Sequence, residues 1–387
     1  MRGNVSALAK GGEGLVRVQG ETHFVYGALP GEEVEFSPGE KRRGVYHSSL
    51  VEVITPVPGR RTPPCRLAGR CGGCNLQHAQ EGLQMKLKGE ILLGNLARIG
   101  RWKPFIPLEH YPSPSAFGYR TRTLLRVRKE QAGYYERMSH TLVEATECPL
   151  LPEASREYLR SLSLKGLADG TLALLSNGRE CSASFQEEGT DLWKPLDGSG
   201  EIEFLVGPYR YLYRPCNFIQ SNLSQLATMV GLVDEELAGL SFPSGGELFA
   251  GTGFFTLPLA SKCKGLLCWE EDRENVLSLK KNLRRNGLEG VEVLRQNLYS
   301  QGVDLPAKEL YLADPPRSGL GEDLVNMLLK AKPKRLILFS CDSASLARDL
   351  VPLLRGGYVP QRLALVDNFP QTDHGESFLS LAYPEGR

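Results

Sequence analysis

Short apolar runs, cut by glycine, proline and polar residues, recur along the whole chain, and their period changes along it. In residues 1–55 the period is two. LVRV (15–18) and HFVY (23–26) predict a hairpin about a QGE turn, EEVEF (32–36) and SSLVEVI (48–54) predict further strands, and Pro-Gly at 30–31 and 38–39 marks turns. This reads as a small all-β module, a compact barrel of a kind that often binds nucleic acid. The proline-rich TPVPGRRTPP (55–64) reads as a linker. Over 76–99 the period lengthens to that of a helix, with Leu83, Leu87 and Ile91 four apart on one face. YRTRTLLRVRK then alternates as a strand, and 130–200 reads as a mixed α/β segment.

From about residue 201 strands and helices alternate. GELFAGTGFFTLPLA (246–260) is a strand, a Gly-x-Gly turn and a helix start. LLCWEED, VEVLRQN, ELYLADPPRSG and RLILFS are further strands with helical stretches between them, and FLSLAYPE lies beyond. This alternation predicts an α/β fold, a doubly wound, Rossmann-like parallel sheet. The expected organisation is three domains: 1–55, 56–200 and 201–387.

A length of 387 residues agrees with more than one core. No apolar run approaches the roughly 20 residues needed to span a bilayer. The start, MRGNVSALAKGG, lacks the apolar core of a secretory signal, so a cytoplasmic protein is expected. Net charge is only +1, but residues 59–130 hold fourteen Lys and Arg against four Asp and Glu. That asymmetry predicts a basic surface on an otherwise acidic protein. Arg120, Arg122, Arg126 and Arg128 fall on one face of the predicted strand, interrupted by Leu124, and are expected to contact RNA phosphates.

Nine cysteines in a reducing compartment argue for metal or catalysis over disulfides. Cys65, Cys71 and Cys74 have the spacing C-x5-C-x2-C, with Gly-Gly between the last two. Thiolates so spaced can wrap one soft metal centre, and Cys148 in ECPLLP is the best fourth ligand. An iron–sulfur cluster and a closed zinc site both suit four cysteines, and His78 is a possible zinc ligand. Cys181, Cys216, Cys263 and Cys268 show no ligand spacing and are expected to pack in the core.

Cys341 differs, because it ends the strand RLILFS where open α/β sheets bind ligands. Ser343 or Ser345 is expected to cap a helix from about 345 to 354, whose N-terminus would favour the thiolate. The Gly251–Gly253 turn lets a cofactor approach the backbone. Glu270, ending the next strand, can bind both ribose hydroxyls, and Asn297 can reach an adenine edge. The loop is shorter than a dinucleotide fingerprint and no P-loop lysine follows. S-adenosylmethionine therefore fits better than NAD or ATP.

Taken together these motifs resemble those of the RNA uracil-C5 methyltransferases, which methylate uridine in 23S rRNA or tRNA. FIQSN (218–222), LFAGTGFFTLPLA, DPPRSG, SCDSASLARD and the Glu of FPQTDHGES occur in that family's order. The barrel and cysteine set are most similar to its bacterial 23S rRNA branch, with a TRAM domain and a 4Fe–4S cluster. The resemblance implies iron ligation by Cys65, Cys71, Cys74 and Cys148. It implies S-adenosylmethionine contacts from Gln220, Phe249, Gly251, Gly253, Glu270, Asn297 and Asp314, with Arg317 steadying Asp314 or a phosphate. Cys341 would be the nucleophile toward uracil C6, and Glu376 the base for the C5 proton. Nearby Asp367 and Asp373 are expected to be turn or surface residues. Phe254, after GTG, and Ser343, after Cys-Asp, depart from the family pattern. The expected partner is RNA, 23S rRNA first and the tRNA T-loop second, bound by a monomer with no membrane contact. A small-molecule methyltransferase would leave the barrel and basic segment unexplained, and an RNA-binding iron–sulfur protein with a vestigial sheet would not need Cys341, Glu376 and Asp314.

Overall fold

The computed structural model describes residues 1–198 and 200–384. The chain divides into two units: Met1–Ile91, Gly133–Ala145 and Phe369–His374 form the first, and the remainder forms the second.

In the first unit the strands Arg2–Ala9, Glu13–Val18, Glu21–Tyr26, Glu33–Ser37, Lys41–Arg42 and Val45–Thr55 form one sheet. Parallel pairing of Glu21–Tyr26 with Val45–Thr55 closes it into a small OB-like barrel around Val5, Val16, Val25, Val34 and Phe36. The expected hairpin is present. Val18 pairs with Glu21 across Gln19 and Gly20, both at positive φ (52° and 79°), the geometry that matches strand twist in a two-residue turn. The strand Arg2–Ala9 was not legible, because its apolar positions are weakly periodic. After the barrel, Arg60 pairs with the fully buried Glu32, whose carboxylate also accepts from Leu29 N at 2.8 Å. The helix runs Glu81–Arg98, later than the expected start at 76. Gln84 is buried and donates to the carbonyls of Leu76 and Ala79, so the preceding turn is tied down by a side chain.

The second unit carries the antiparallel strands Arg122–Arg128, Gly170–Ser176, Cys181–Glu187 and Trp193–Pro195. Its main sheet has eight strands: β1 (Leu108–Tyr111), β2 (Gly245–Leu248), β3 (Leu266–Glu270), β4 (Val291–Arg295), β5 (Leu310–Ala313), β6 (Arg335–Ser340), β7 (Val359–Val366) and β8 (Glu376–Ala382). Their spatial order is β4-β3-β2-β5-β6-β8-β7-β1. Strands β2 to β6 pair in parallel, and the order reverses at β2, so β2 and β5 leave a crevice at their carboxyl ends. One expectation is corrected: the sheet is not wholly parallel. β8 runs antiparallel to both β6 and β7, because the connection from β7 holds no crossover helix and returns the chain alongside. The central strands are buried on both faces, with Leu310, Tyr311, Leu312, Ile337 and Phe339 fully covered. Among the described residues no helix is long and apolar enough to cross a membrane.

Candidate active site

Beyond β2 the chain turns sharply through residues 249–255. Phe249, Gly251 and Gly253 all have positive φ (63°, 56° and 92°). Left-handed backbone costs a residue with a Cβ about 1–2 kcal/mol, and Phe249 accepts it while its ring packs 5.5 Å from that of Tyr299. A Cβ on Gly251 would face open space, whereas one on Gly253 would lie 3.2 Å from Leu279 Cγ. The turn thus frames a small open cleft, walled by Phe218, Gln220, Glu247, Phe249, Phe254 and Asp314 among others. Phe254, the departure from the family pattern, also serves the core: its ring packs against Phe255 (4.8 Å) and Tyr211 (5.7 Å), and Tyr211 donates to its carbonyl.

Glu270 ends β3 and accepts from Gly251 N and Asp272 N, both at 2.8 Å, so it holds the turn directly; burial raises its pKa. Asn297 is exposed, and its side-chain oxygen accepts from Tyr299 N at 2.8 Å, closing an Asx turn beyond β4. Glu247 was missed by the sequence reading. It is buried in the cleft wall, accepts from Thr256 Oγ1, and burial pushes its pKa up to about 8. An acid immediately before LFAGTG, at a strand end, was the available signal.

Asp314 follows β5. Gln220 Nε2 donates to its Oδ2 at 2.8 Å, and Gln220 Oε1 accepts from Asn368 Nδ2 at 3.4 Å. The FIQSN segment that carries Gln220 is held by Thr121, whose hydroxyl donates to Gln220 O at 2.6 Å and whose N–H donates to Ser221 O. Glu376 opens β8 and is buried. Burial, and then the Asp314 charge, raise its pKa well above the usual carboxylate range; hydrogen bonds from the Asn368 side chain and the Ser340 backbone oppose this.

Cys341 follows Ser340, which pairs with Ser377; the same antiparallel register carried one step on sets Cys341 across from Glu376. The helix beyond it runs Ser343–Arg355 and is capped by Asp342, whose Oδ1 accepts from Ala344 N and Ser345 N, both at 3.0 Å. Asp342, and neither serine, is therefore the cap. A second correction concerns the thiol. Burial first, and then the charges of Glu376 and Asp314, push the Cys341 pKa up to about 12 against the lowering effect of Arg317. The helix N-terminus does not outweigh burial and two carboxyls, so the resting group is a neutral thiol.

The model of the tRNA (uracil-5-)-methyltransferase family matches residues 204–383. The chain is 31% identical to the 23S rRNA (uracil(1939)-C(5))-methyltransferase RlmD of Pseudomonas entomophila, covering 96% of this chain and 91% of that protein. The RlmD of Edwardsiella ictaluri is 32% identical over 95% of this chain and 92% of its own length. The chain belongs to the RNA uracil-C5 methyltransferases. A solved structure, the Pyrococcus abyssi tRNA (uracil-54, C5)-methyltransferase in complex with S-adenosyl-L-homocysteine, shares the fold with a TM-score of 0.78 at 22% identity, covering 99% of both chains.

In this family member the arginine strand alternates as expected, with Thr123, Leu125 and Val127 buried between half-buried or exposed neighbours. The four arginines are not equivalent. Arg122 is largely enclosed, donates from Nε to Pro215 O at 2.6 Å, and burial lowers its pKa to about 10. Arg126 is exposed and donates to Thr171 Oγ1, while Arg128 pairs with Glu188 at 3.1 Å. Arg120 is half-buried beside an isolated bridge to Asn222.

Cys65, Cys71 and Cys74 lie in the first unit and Cys148 in the second, and all four side chains are half-buried. Gly73 N–H donates to Cys71 Sγ at 3.4 Å. The donor type suits a soft metal, but among the described residues no group of three or more His, Cys, Asp or Glu is arranged to hold one. His78, the alternative zinc ligand, is buried and its pKa falls to about 4, so it is a neutral ring. Asp373 accepts from Gly11 N and Asn75 Nδ2, both at 2.7 Å, which agrees with a turn-holding role.

Proposed function

We propose that this protein methylates C5 of a uridine in 23S rRNA through a transient Cys341–uracil bond. The observation that carries this reading is the β6–β8 register, which sets a thiol and a buried carboxyl opposite each other beside the Gln220–Asp314 pair. Uracil C5 is a poor nucleophile. Addition of Cys341 Sγ to C6, with the thiol proton passing to solvent, turns the C5 edge into an enolate that can attack an electrophilic methyl. S-adenosylmethionine, when bound in the cleft framed by Phe249, Gly251 and Gly253, supplies that methyl group. Glu376 then takes the C5 proton, and the electron pair released expels the Cys341 sulfur. A carboxyl with a raised pKa is suited to receive that proton. Its Oε1 is buried with no hydrogen-bond partner, an acceptor awaiting a donor.

Relatives at 30–32% identity named for 23S rRNA support rRNA over tRNA as substrate. RNA would be held by the barrel, acting as a TRAM-type module, and by Arg126 and Arg128, with Arg120 beside them. The base must leave its stack to reach Cys341, at a cost of a few kcal/mol. Cys65, Cys71, Cys74 and Cys148 would hold a 4Fe–4S cluster, which no step above requires. Iron and acid-labile sulfide in anaerobically purified protein, lost on Cys71→Ser, test that assignment; stoichiometric zinc would overturn it.

The function is tested with 23S rRNA transcribed with 5-fluorouridine, together with S-adenosylmethionine. Fluorine cannot leave as a proton, so a protein–RNA adduct stable to denaturation is expected, mapping to Cys341. RNA binding without any adduct would overturn the proposal.

A further inference from the structure

One buried side chain of the site has no role in the chemistry above. Asn368 is fully buried, its backbone N–H donates to Val366 O at 2.9 Å just past the end of β7, and its Nδ2 donates to Gln220 Oε1. The orientation of both amides follows from their neighbours. Asp314 accepts from Gln220 Nε2, which turns Gln220 Oε1 toward Asn368, and that oxygen calls for the nitrogen of Asn368 and not its oxygen. The Asn368 amide also acts on the Glu376 carboxyl, where it favours the carboxylate. Asp314, Gln220 and Asn368 thus form one hydrogen-bonded chain whose end acts on Glu376.

Two oxygens at the far end of this chain, Asn368 Oδ1 and Glu376 Oε1, are buried without partners. Both are acceptors, so this end is short of protons. An unpaired buried acceptor is costly, and a proton arriving on Glu376 supplies a donor where one is lacking. A leucine or methionine at 368 would remove the bridge and leave Gln220 Oε1 and the carboxyl without it.

We propose that Asn368 is a positioning residue for proton abstraction: its amide ties the Glu376 carboxyl to Gln220, and so to Asp314, and holds it oriented toward uracil C5. This rests on the reading of Glu376 as the base. In the step concerned, the C5–H bond breaks and its proton passes to a Glu376 oxygen. The electron pair forms the C5–C6 double bond, the C6–S bond breaks, and the sulfur leaves as a thiolate that is reprotonated from solvent. The groups facing Glu376 are Asp314 beyond β5 and Cys341 beyond β6, with Asp342 and Arg317 acting on Cys341. Because the Asn368 hydrogen bond favours the carboxylate, its loss raises the pH at which the base becomes active.

The test uses the full chain, S-adenosylmethionine with a labelled methyl group, and 23S rRNA transcribed with uridine tritiated at C5. Methyl incorporation reports attack, and tritium release reports proton abstraction. In Asn368→Ala, a single-turnover methyl transfer near the wild-type rate is expected, with tritium release slowed roughly tenfold to a hundredfold, the range for a misplaced catalytic group. A denaturation-stable methylated adduct should accumulate, and the ascending limb of the pH profile should move to higher pH. Asn368→Gln should restore part of the release rate. Wild-type tritium release and pH profile in Asn368→Ala would overturn the proposal, as would an equal loss of both signals in a folded protein. Glu376→Gln separates the two readings: if it traps adduct while Asn368→Ala does not, only the role of Asn368 fails, and if it traps none, the base assignment fails.

Discussion

Cys341 and Glu376 lie 35 positions apart in sequence yet oppose each other across one antiparallel step, because Ser340 pairs with Ser377. Parallel pairing of β8 would have carried its first residue to the other end of the sheet. Burial raises the proton affinity of both groups; the Glu376 and Asp314 charges raise that of Cys341 further, and the Asp314 charge that of Glu376.

The resting Cys341 should therefore be a sluggish nucleophile toward small reagents. With its pKa near 12, against about 8.5 for a free thiol, alkylation by iodoacetamide at pH 8 should be more than roughly a hundredfold slower than that of a cysteine peptide. Peptide mass spectrometry, which separates Cys341 from the other eight cysteines, gives the rate. Fast alkylation at neutral pH would contradict the buried, carboxyl-flanked environment.

Glu247 should make stability depend on pH. Its pKa is about 8 in the folded chain against an ordinary 4.5, so the folded state holds the proton more tightly. Its contribution is complete below about pH 4.5 and is lost as pH rises toward 8. Relative to Glu247→Gln, the native protein should lose up to about 1.4 kcal/mol per pH unit across that window, and little on either side. Urea denaturation of both proteins between pH 4 and 9 measures the difference; parallel curves would show that Glu247 titrates normally.

Gly251 should tolerate no side chain when the cofactor binds. Alanine there adopts left-handed backbone at a cost of about 1 kcal/mol, and its Cβ occupies open space at a residue that lines the cleft. Gly251→Ala should lose a few degrees in Tm and bind S-adenosyl-L-homocysteine roughly tenfold or more weakly, about 1.4 kcal/mol, by calorimetry. Unaltered affinity would move the cofactor away from this turn.

Arg122 and Arg126, four residues apart on one strand, should give opposite phenotypes. Arg126→Ala should weaken RNA binding and flatten its salt dependence by about one phosphate contact while leaving stability unchanged. Arg122→Ala removes the donor to Pro215 O and should instead cost about 1–3 kcal/mol of stability. Filter binding at several salt concentrations, paired with thermal melts, distinguishes the two. Equal effects on RNA affinity would restore a single basic face.

Much of the site was legible because strand-end chemistry is local. RLILFS followed by Cys, ELYLA followed by Asp and LLCW followed by Glu each put an apolar run, readable by composition, directly before a polar residue at the carboxyl end of a strand. Gly251 and Gly253 were legible because few residues adopt their backbone. Asn368 was not, since one polar residue in DNFPQTD has no period and its meaning comes from Gln220, 148 positions away. The Asp342 cap was missed because three neighbouring residues could each have capped the helix, and only the backbone angles choose among them.

The sequence by itself determined the barrel hairpin, the alternating strands of the sheet, the residues at their ends and the family they resemble. These follow from side-chain period, turn chemistry and spacing, all of which act over a few neighbours. Tertiary structure alone decided that β8 returns antiparallel beside β6, that Arg122 is enclosed while Arg126 is exposed, and that burial overrides the helix N-terminus at Cys341. Each of those depends on which distant groups share a low-dielectric space, and no local pattern encodes that.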